Sequence, residues 1–363
     1  MNDQDCQKNL TRAAQENILI TKAAILEQVN HPLRVANLKI PVLGPGQVLV
    51  DMKWSGLCRS QLMEMQGARG PDKYLPHLLG HEGAGVVKDI GASVSKVSPG
   101  DHVVITWIKG SGLEGGSTSY LEGSSSVSAG PVTTFSSYAV ISENRCIPFD
   151  KSVPMDVASL LGCAVPTGAG IVMNEINLTP ASSIAIWGVG GVGLCAIAGA
   201  VLTGCEQIVA IDINKKKLEL ARSFGATNLV RADQKDFDDQ LLSMTNGVGF
   251  DFAVEATGNV EVVERAFESV RDFGGLCIFA SHPPVGHKIS IEPHALIRGK
   301  QIRGSWGGST NPDKDIPKFV DLYLSGRLPL DKLISHRFKL DQINQAFKQF
   351  NEGRGQRILL DLN

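Results

Sequence analysis

Short apolar strands alternate with helical segments from about residue 181 onward, and this alternation constrains the fold more than any other feature. The strings SIAIWG, QIVAIDI, NLVRAD, FDFAVEAT and GGLCIFAS are typical of strands, and the intervening NKKKLELARSFG and VEVVERAFESV are typical of helices. Strands that are linked through helices run parallel and are covered on both faces. We therefore expect an α/β fold with a doubly wound parallel sheet.

A glycine-rich string, GVGGVG, follows the first of these strands and opens a helix. Glycines at such a junction permit a tight turn and close approach of the backbone, so that a pyrophosphate binds at the helix N-terminus. A glycine turn without a ligand is the alternative, because the string alone is a weak signal. The residues of this candidate loop are Gly188, Gly190, Gly191, Val192 and Gly193.

Asp212 closes the next strand, about 20 residues beyond the glycines, where an acidic side chain accepts hydrogen bonds from the adenosine ribose. A carboxylate would repel a 2′-phosphate, so this residue favours NAD over NADP. The alternative is a turn or N-cap acid before the helical NKKKLELA.

The segments on either side of this pattern are of a different kind. The first third alternates short apolar runs with Gly and Pro, as in GQVLVDMKW, GAGVVKDIG and DHVVIT, which is typical of strands and turns. The tail from about residue 306 combines the helical DQINQAFKQFNEG with a final strand, RILLDL. We expect a β-rich catalytic domain at 1–160 and 306–363, interrupted by a nucleotide-binding domain at 161–305.

The charge balance excludes partners that need a strongly charged surface. A formal net charge of −2 over 363 residues gives no electrostatic basis for binding nucleic acid or an anionic membrane. No run of about 18 apolar residues is present, and the N-terminal MNDQDCQKNLTRAAQEN has no apolar core, so we expect a cytoplasmic protein. The cysteine count of seven is odd, which favours reduced thiols over a disulfide framework.

Three residues far apart in the chain have the chemistry of one open zinc site: Cys58 in GLCRS, His81 in GHEGAG and Cys163 in LLGCAVPTG. Two thiolates and an imidazole leave a tetrahedral Zn²⁺ with a fourth position for water or substrate, which is a catalytic arrangement. The alternative for each is a core residue, since a single cysteine is usually a small buried side chain. The core interpretation is adopted for Cys6, Cys146, Cys195, Cys205 and Cys277. Surface or structural roles are assigned to His31, His77, His102, His287, His294 and His336.

With these strings, the sequence resembles the zinc-dependent medium-chain alcohol dehydrogenases along nearly all of its length from about residue 18. The resemblance implies a GroES-like catalytic domain and a Rossmann dinucleotide-binding domain, with zinc and the nicotinamide in the cleft between them. It implies NAD-dependent transfer of hydride between an alcohol and the nicotinamide. We also expect a homodimer or homotetramer.

The matching motifs imply roles for residues around the metal. Glu82, in the GHE string, would lie behind the zinc as an alternate ligand, and Ser60 would hydrogen-bond the bound alcohol and pass its proton onward. A helix-capping serine is the alternative for Ser60. The resemblance also implies four cofactor contacts: Arg59 and Arg357 at the pyrophosphate, Thr167 near the nicotinamide and Lys217 at the ribose. The three charged residues could equally be solvated surface groups.

The sequence departs from the family pattern in three places. Residues 107–134 contain no cysteine, so we expect one catalytic zinc and no structural zinc, with a flexible linker, a lid or a disordered segment replacing the four-cysteine lobe. Gln61 replaces the aspartate that orients the ligand histidine, and we expect its carbonyl to accept that hydrogen bond without charge. Met63 replaces the last histidine of the proton relay, so the proton would leave through the cofactor ribose and water.

The sequence says least about the substrate. By resemblance, Trp107 lies near an aromatic wall of the alcohol pocket and His282 lies beside the nicotinamide, where an imidazole favours a polar substrate such as a polyol or sugar alcohol. Amino alcohols and aromatic alcohols remain open. The alternative functions are a zinc-free quinone or enoyl reductase, an epimerase or lyase that returns the hydride to its substrate, and a noncatalytic relative.

Overall fold

The computed structural model describes residues 19–363, so the polar N-terminal segment with Cys6 lies outside the described residues. Strands dominate the first part of the chain, with one short helix, α1, after the third strand. In order, the elements are β1 (Ile20–Leu26), β2 (Arg34–Lys39), β3 (Gln47–Gly56), α1 (Arg59–Met65), β4 (His77–Leu78), β5 (Gly83–Ile90), β6 (His102–Ile105), β7 (Thr118–Glu122), β8 (Ser125–Ala129), β9 (Tyr138–Ser142) and β10 (Cys146–Pro148).

Strands and helices alternate in the second part, as the sequence pattern predicts. The elements are α2 (Met155–Ser159), α3 (Ala164–Gly170), β11 (Ser183–Trp187), α4 (Gly191–Leu202), β12 (Gln207–Asp212), α5 (Lys215–Ser223), β13 (Asn228–Arg231), α6 (Phe237–Met244), β14 (Phe252–Glu255), α7 (Val260–Glu268), β15 (Leu276–Phe279), α8 (Pro293–Ile297) and β16 (Gln301–Gly304). The tail adds α9 (Pro312–Leu324), β17 (Ile334–Lys339), α10 (Ile343–Asn351) and β18 (Arg357–Asp361).

Strands β11 to β16 form a six-stranded sheet in the order β13-β12-β11-β14-β15-β16, with every neighbouring pair parallel. The chain starts at the centre, winds to one edge and then crosses back to wind to the other. This order places the carboxyl ends of β11 and β14 at the switch point, where ligands of such sheets bind. The predicted α/β class with a doubly wound parallel sheet is confirmed.

The β-rich part contains a closed barrel of β1, β2, β7, β8 and β4, and a sheet in the order β10-β6-β5-β3-β18-β17 with β9 also paired to β3. The C-terminal strand β18 runs antiparallel to β3, with Leu359 opposite Gly56. The C-terminal strands β17 and β18 therefore belong to the same sheet as β3, β5 and β6.

Residues 107–134 correct one expectation. Instead of a flexible linker, a lid or a disordered segment, their second half is the hairpin β7–β8, which completes the barrel. Tyr120 is fully buried, and its hydroxyl accepts a hydrogen bond from the Val140 N–H (2.7 Å). The preceding turn is held by Glu143, whose carboxylate accepts from the Leu113 N–H (2.7 Å).

The largest buried core lies where the two parts meet and contains residues of both. Within this core, α3 and α4 pack closely against each other. A Cβ on Gly168 would lie 2.1 Å from the Val192 carbonyl oxygen, so only glycine allows this approach. Within residues 19–363 no single helix is long and apolar enough to cross a membrane, and the bent pair Met155–Gly162 and Ala164–Glu175 passes that test only when combined.

Candidate metal centre and dinucleotide cleft

The fold brings the three predicted zinc ligands together from separate elements. Cys58 immediately precedes α1, His81 lies in the turn between β4 and β5, and Cys163 immediately precedes α3. Their ligand atoms all lie within 4.8 Å of one another, and His81 Nε2 is 3.2 Å from Cys163 Sγ. Zinc bonds of about 2.0 Å to nitrogen and about 2.3 Å to sulfur would separate such atoms by about 3.5 Å. The donor set and its spacing therefore fit a zinc ion.

The two thiols of this trio share a proton unequally. The neighbouring Cys163 thiol and His81 ring hold the pKa of Cys58 well below its usual range despite burial. Donation to Cys58, together with burial, raises the pKa of Cys163. One thiolate is thus favoured by the protein itself, and a metal ion would displace the remaining proton on binding.

Gln61 contacts two members of the trio, but not in the predicted way. Its Oε1 accepts from the Cys58 N–H (3.2 Å), while its Nε2 faces His81 Nδ1. The expectation that the carbonyl accepts from His81 is therefore wrong, because the backbone of Cys58 already occupies that oxygen. An amide has one accepting end, whereas an aspartate offers two.

Glu82 lies behind the trio and pairs with a buried arginine. Arg357 Nη2 donates to Glu82 Oε2 (3.1 Å), and Arg357 Nη1 donates to the Leu57 carbonyl (3.1 Å). Burial raises the pKa of Glu82 to about 7, although Arg357 acts in the opposite direction. Glu82 Oε1 is buried and has no hydrogen-bond partner among the described residues. The carboxylate of Glu82 has an accepting oxygen free, and its role as an alternate ligand stays a prediction.

The glycine loop has the geometry of a phosphate-binding turn between β11 and α4. Gly188 has a φ of +87°, and a Cβ on Gly193 would lie 2.0 Å from the Gly188 carbonyl oxygen. Nothing lies within 4 Å of the Cβ position of Gly190, so the loop is open on that side. Gly191 and Val192 begin α4, and Arg357 lies beside them, since a Cβ on Gly191 would be 2.9 Å from Arg357 Cδ.

Asp212 lies at the carboxyl end of β12, next to this loop. Its Oδ2 accepts from the Val189 N–H (3.0 Å), and its Oδ1 accepts from the Asn214 N–H (2.9 Å). Lys217 follows in the first turn of α5. The carboxylate is therefore fixed beside the glycine loop, as the prediction of a ribose contact requires.

The other predicted residues are spread around the trio. Arg59 is exposed and Ser60 is half-buried; both lie in the first turn of α1, where Ser60 Oγ accepts from Arg69 Nη1 (3.4 Å). Thr167 is buried in α3, within one turn of Cys163. Met63 is buried on α1, and its thioether cannot carry a proton.

Two tryptophans form an aromatic wall next to the zinc ligands. The Trp107 ring lies edge-on to the His81 ring, with centroids 6.5 Å apart, and the Trp306 ring lies edge-on to Trp107 at 4.9 Å. Trp306 is 80% exposed and was missed by sequence reasoning. Its place in the GSWGG string, two residues after the end of β16, indicates the carboxyl edge of the sheet but not the contact with Trp107.

His282 is exposed on the loop after β15, with its Nδ1 3.2 Å from the Pro283 carbonyl oxygen. The same loop reaches the β-rich part, since the Val285 N–H donates to the Ala68 carbonyl (2.9 Å). No hydrogen bond joins His282 to the trio within residues 19–363. Its predicted place beside the nicotinamide stays a prediction.

Comparisons with known proteins agree with this arrangement. A family model described as alcohol dehydrogenase GroES-like domain matches residues 44–151, and one described as zinc-binding dehydrogenase matches residues 191–325. The alcohol dehydrogenase class-3 of Cereibacter sphaeroides is 31% identical over 373 residues, which cover 94% of this chain and 99% of that protein.

Two solved structures share the fold over nearly the whole chain. An alcohol dehydrogenase zinc-binding domain protein from Burkholderia ambifaria has a TM-score of 0.87 and 30% identity, covering 95% of this chain and 99% of that one. Benzyl alcohol dehydrogenase from Acinetobacter calcoaceticus has a TM-score of 0.84 and 28% identity, covering 95% of this chain and all of the other.

Proposed function

Because the chain belongs to the zinc-dependent medium-chain alcohol dehydrogenase family, we propose that it transfers hydride between an aromatic alcohol and NAD, using one zinc held by Cys58, His81 and Cys163. The observation that carries this proposal is the trio itself, whose ligand atoms lie within 4.8 Å of one another beside an aromatic wall. Zinc, when bound, supplies a Lewis acid for the substrate oxygen, and the nicotinamide exchanges the hydride.

The protein's own residues position the substrate and move its proton. Ser60, two residues after Cys58, would take the hydroxyl proton of the alcohol at its Oγ and give up its own. Met63 has no group that carries a proton, so that proton would have to pass to the cofactor ribose and water. Glu82 and Arg357 form a buried pair behind the trio, which keeps a carboxyl group near the ligands without exposing it to solvent.

The preference for NAD rests on Asp212. Its carboxylate is fixed beside the glycine loop by the Val189 N–H, and a negative charge there accepts hydrogen bonds from a ribose but repels a 2′-phosphate. Arg59 and Arg357 serve the pyrophosphate, Lys217 the ribose and Thr167 the nicotinamide.

The aromatic substrate class rests on Trp107 and Trp306. Aromatic rings favour edge-on or offset contacts worth about 1 kcal/mol beyond burial. The open face of Trp306 therefore favours a planar apolar body attached to the alcohol, and the similarity to a benzyl alcohol dehydrogenase supports this choice. The polyol expected from His282 becomes the alternative. The cytoplasmic location stays a prediction.

A panel of aromatic alcohols, short aliphatic alcohols and polyols tests the proposal, with NAD⁺ or NADP⁺ reduction as the readout. We expect aromatic alcohols with NAD⁺ to give the highest kcat/KM. Cys58→Ser should lose zinc and lower turnover by orders of magnitude. Trp306→Ala should raise KM for aromatic alcohols about fivefold, the value of one aromatic contact, without loss of zinc.

Phe273→Ala provides the matched control, since Phe273 is an equally exposed aromatic residue in the turn between α7 and β15. The zinc assignment would be refuted by full turnover in Cys58→Ser. The substrate assignment would be refuted if polyols gave the highest kcat/KM or if the two aromatic variants behaved alike.

A further inference from the structure

A second group of metal-ligating side chains lies near the trio but is separate from it. Glu64 on α1, Asp72 in the following loop and His77 on β4 place one ligand atom each within 4.8 Å of one another. His77 is only 7% exposed, and sequence reasoning gave it a surface or structural role. The side chains of Asp72 and Glu64 are 13% and 28% exposed, so the group opens to solvent on the Glu64 side.

The ring of His77 is fixed with one nitrogen toward the two acids. Nδ1 is 2.9 Å from the Leu78 carbonyl oxygen, which can only accept, so Nδ1 carries a proton and donates it. Nε2 then faces Asp72 Oδ2 at 2.8 Å and Glu64 Oε1 at 4.0 Å. A metal-binding histidine typically donates its other ring nitrogen to a backbone carbonyl in this way.

The atoms around Nε2 are arranged like ligands of one ion. In the tautomer that donates from Nδ1, Nε2 directs its lone pair at the carboxylate oxygens of Asp72 and Glu64, so that three ligand atoms converge on one point. Burial alone would raise the pKa of Asp72, but the Tyr74 N–H and the His77 ring outweigh it and lower that pKa, which keeps the carboxylate ionised. Arg69, whose Nη1 is 3.5 Å from Glu64 Oε2, is half-exposed and can leave the site.

From this geometry we propose that Glu64, Asp72 and His77 bind a second divalent cation, of which Zn²⁺ fits the ligands best. Three ligand atoms around zinc would lie about 3.4 Å apart, a value between the 2.8 Å and 4.0 Å found here. Two carboxylates balance the charge of the ion, and a water completes the coordination. These ligands contain no sulfur, so the site is chemically different from the trio.

The position of the site gives the ion a structural role. Glu64 lies on α1, the helix that Cys58 immediately precedes. His77 lies four residues before His81 in the sequence. An ion held by Glu64 and His77 therefore ties together the two segments that carry those trio ligands. Its binding should slow the loss of zinc from the trio.

The test is the metal content of the full-length protein after loading with Zn²⁺ and desalting. We expect two equivalents in the unchanged protein and one in His77→Gln. Asp72→Asn is a second variant in case His77→Gln fails to fold, because asparagine keeps an acceptor for the Tyr74 N–H (2.9 Å). His31→Gln, a change of an exposed histidine, should retain two equivalents.

Co²⁺ substitution distinguishes the two sites. The trio, with its two thiolates, should give intense near-ultraviolet charge-transfer absorption, while the second site should add only weak visible bands. His77→Gln should lose the weak bands alone and release the trio metal to a chelator about tenfold faster, the scale of a lost supporting contact. A single equivalent in the unchanged protein, or two in both His77→Gln and Asp72→Asn, would overturn the second site. If the Co²⁺-loaded unchanged protein lacked the near-ultraviolet absorption, that result would instead count against the proposed function.

Discussion

Gln61 offers one hydrogen-bond acceptor to two groups that both donate once zinc is bound. With Gln61 Nε2 facing His81 Nδ1, the ring proton lies on Nε2, the nitrogen that faces the Cys163 sulfur. If Nε2 held a zinc ion, the ring proton would have to lie on Nδ1, which would then face the amide NH₂ of Gln61. Turning the amide would relieve this contact but place the NH₂ against the Cys58 N–H. Either orientation would leave one hydrogen bond unsatisfied when zinc binds.

Gln61→Asp should strengthen zinc binding, because a carboxylate accepts from both the Cys58 N–H and the His81 Nδ1–H. The expected decrease in the dissociation constant is roughly tenfold to a hundredfold, the range found when such supporting contacts are removed. Competition with a coloured chelator measures it. Gln66→Asp, an exposed change at the end of the same helix, is the control. Equal zinc affinities for the two variants would contradict this account of Gln61.

The trio could be predicted from sequence because each ligand lies in its own distinctive string. Other features of the site could not. The orientation of the Gln61 amide depends on the Cys58 backbone, and the second acidic group depends on a loop that brings Asp72 back to α1. Trp306 becomes part of the site only through its contact with Trp107, almost 200 residues earlier in the chain, and no local pattern encodes that contact.

Among the elements, β12 carries the proposed determinant of cofactor choice, because its carboxyl end places Asp212 beside the glycine loop. Asp212→Asn keeps an acceptor for the Val189 N–H but removes the charge. We expect the ratio of kcat/KM for NAD⁺ to that for NADP⁺ to fall about tenfold, which corresponds to about 1.4 kcal/mol of lost discrimination. Asp233→Asn, an exposed acid just beyond β13 that pairs with Arg231, should leave the ratio unchanged. If the two variants had the same ratio of kcat/KM for NAD⁺ to that for NADP⁺, the proposed contact of Asp212 with the ribose would be contradicted.

The hairpin β7–β8 shows why some elements escape prediction. Its strands read TSYLE and SSVSA, and they bury only Tyr120, Val127 and Ala129. Serine-rich strands have weak intrinsic preference, so their conformation depends on the neighbours they pair with. Here those neighbours are β2 and β4, which lie far away in sequence. The parallel sheet, by contrast, has long apolar strands and regular helices, and its pattern is visible locally.

At the scale of the whole molecule, the parallel sheet ends in an unpaired edge. Within the described chain β16 pairs only with β15, and exposed apolar side chains lie beside it, among them Ile297 at 80% and Leu296 at 45%. An open strand edge next to exposed apolar residues favours pairing with a second copy. We infer that the predicted homodimer, or a dimer within the predicted homotetramer, would form through β16.

Ile297→Glu should convert this dimer to a monomer, because it places a charge in the apolar patch. Light scattering after size-exclusion chromatography measures the mass. Val42→Glu is the control, since Val42 is 95% exposed on the β-rich part, away from the edge. If the unchanged protein has the mass of one chain, or if both variants stay dimeric, the β16 interface is wrong.

Arg357 touches two binding sites at once. Its Nη2 holds Glu82 behind the zinc ligands, while its Nε, which is buried without a partner among the described residues, lies beside the glycine loop. A pyrophosphate on that loop and a zinc ion at the trio would therefore act on the same guanidinium. The proposed function then implies that their binding free energies are coupled, and such coupling is reciprocal: the factor by which zinc changes the dissociation constant of the dinucleotide is the factor by which the dinucleotide changes that of zinc.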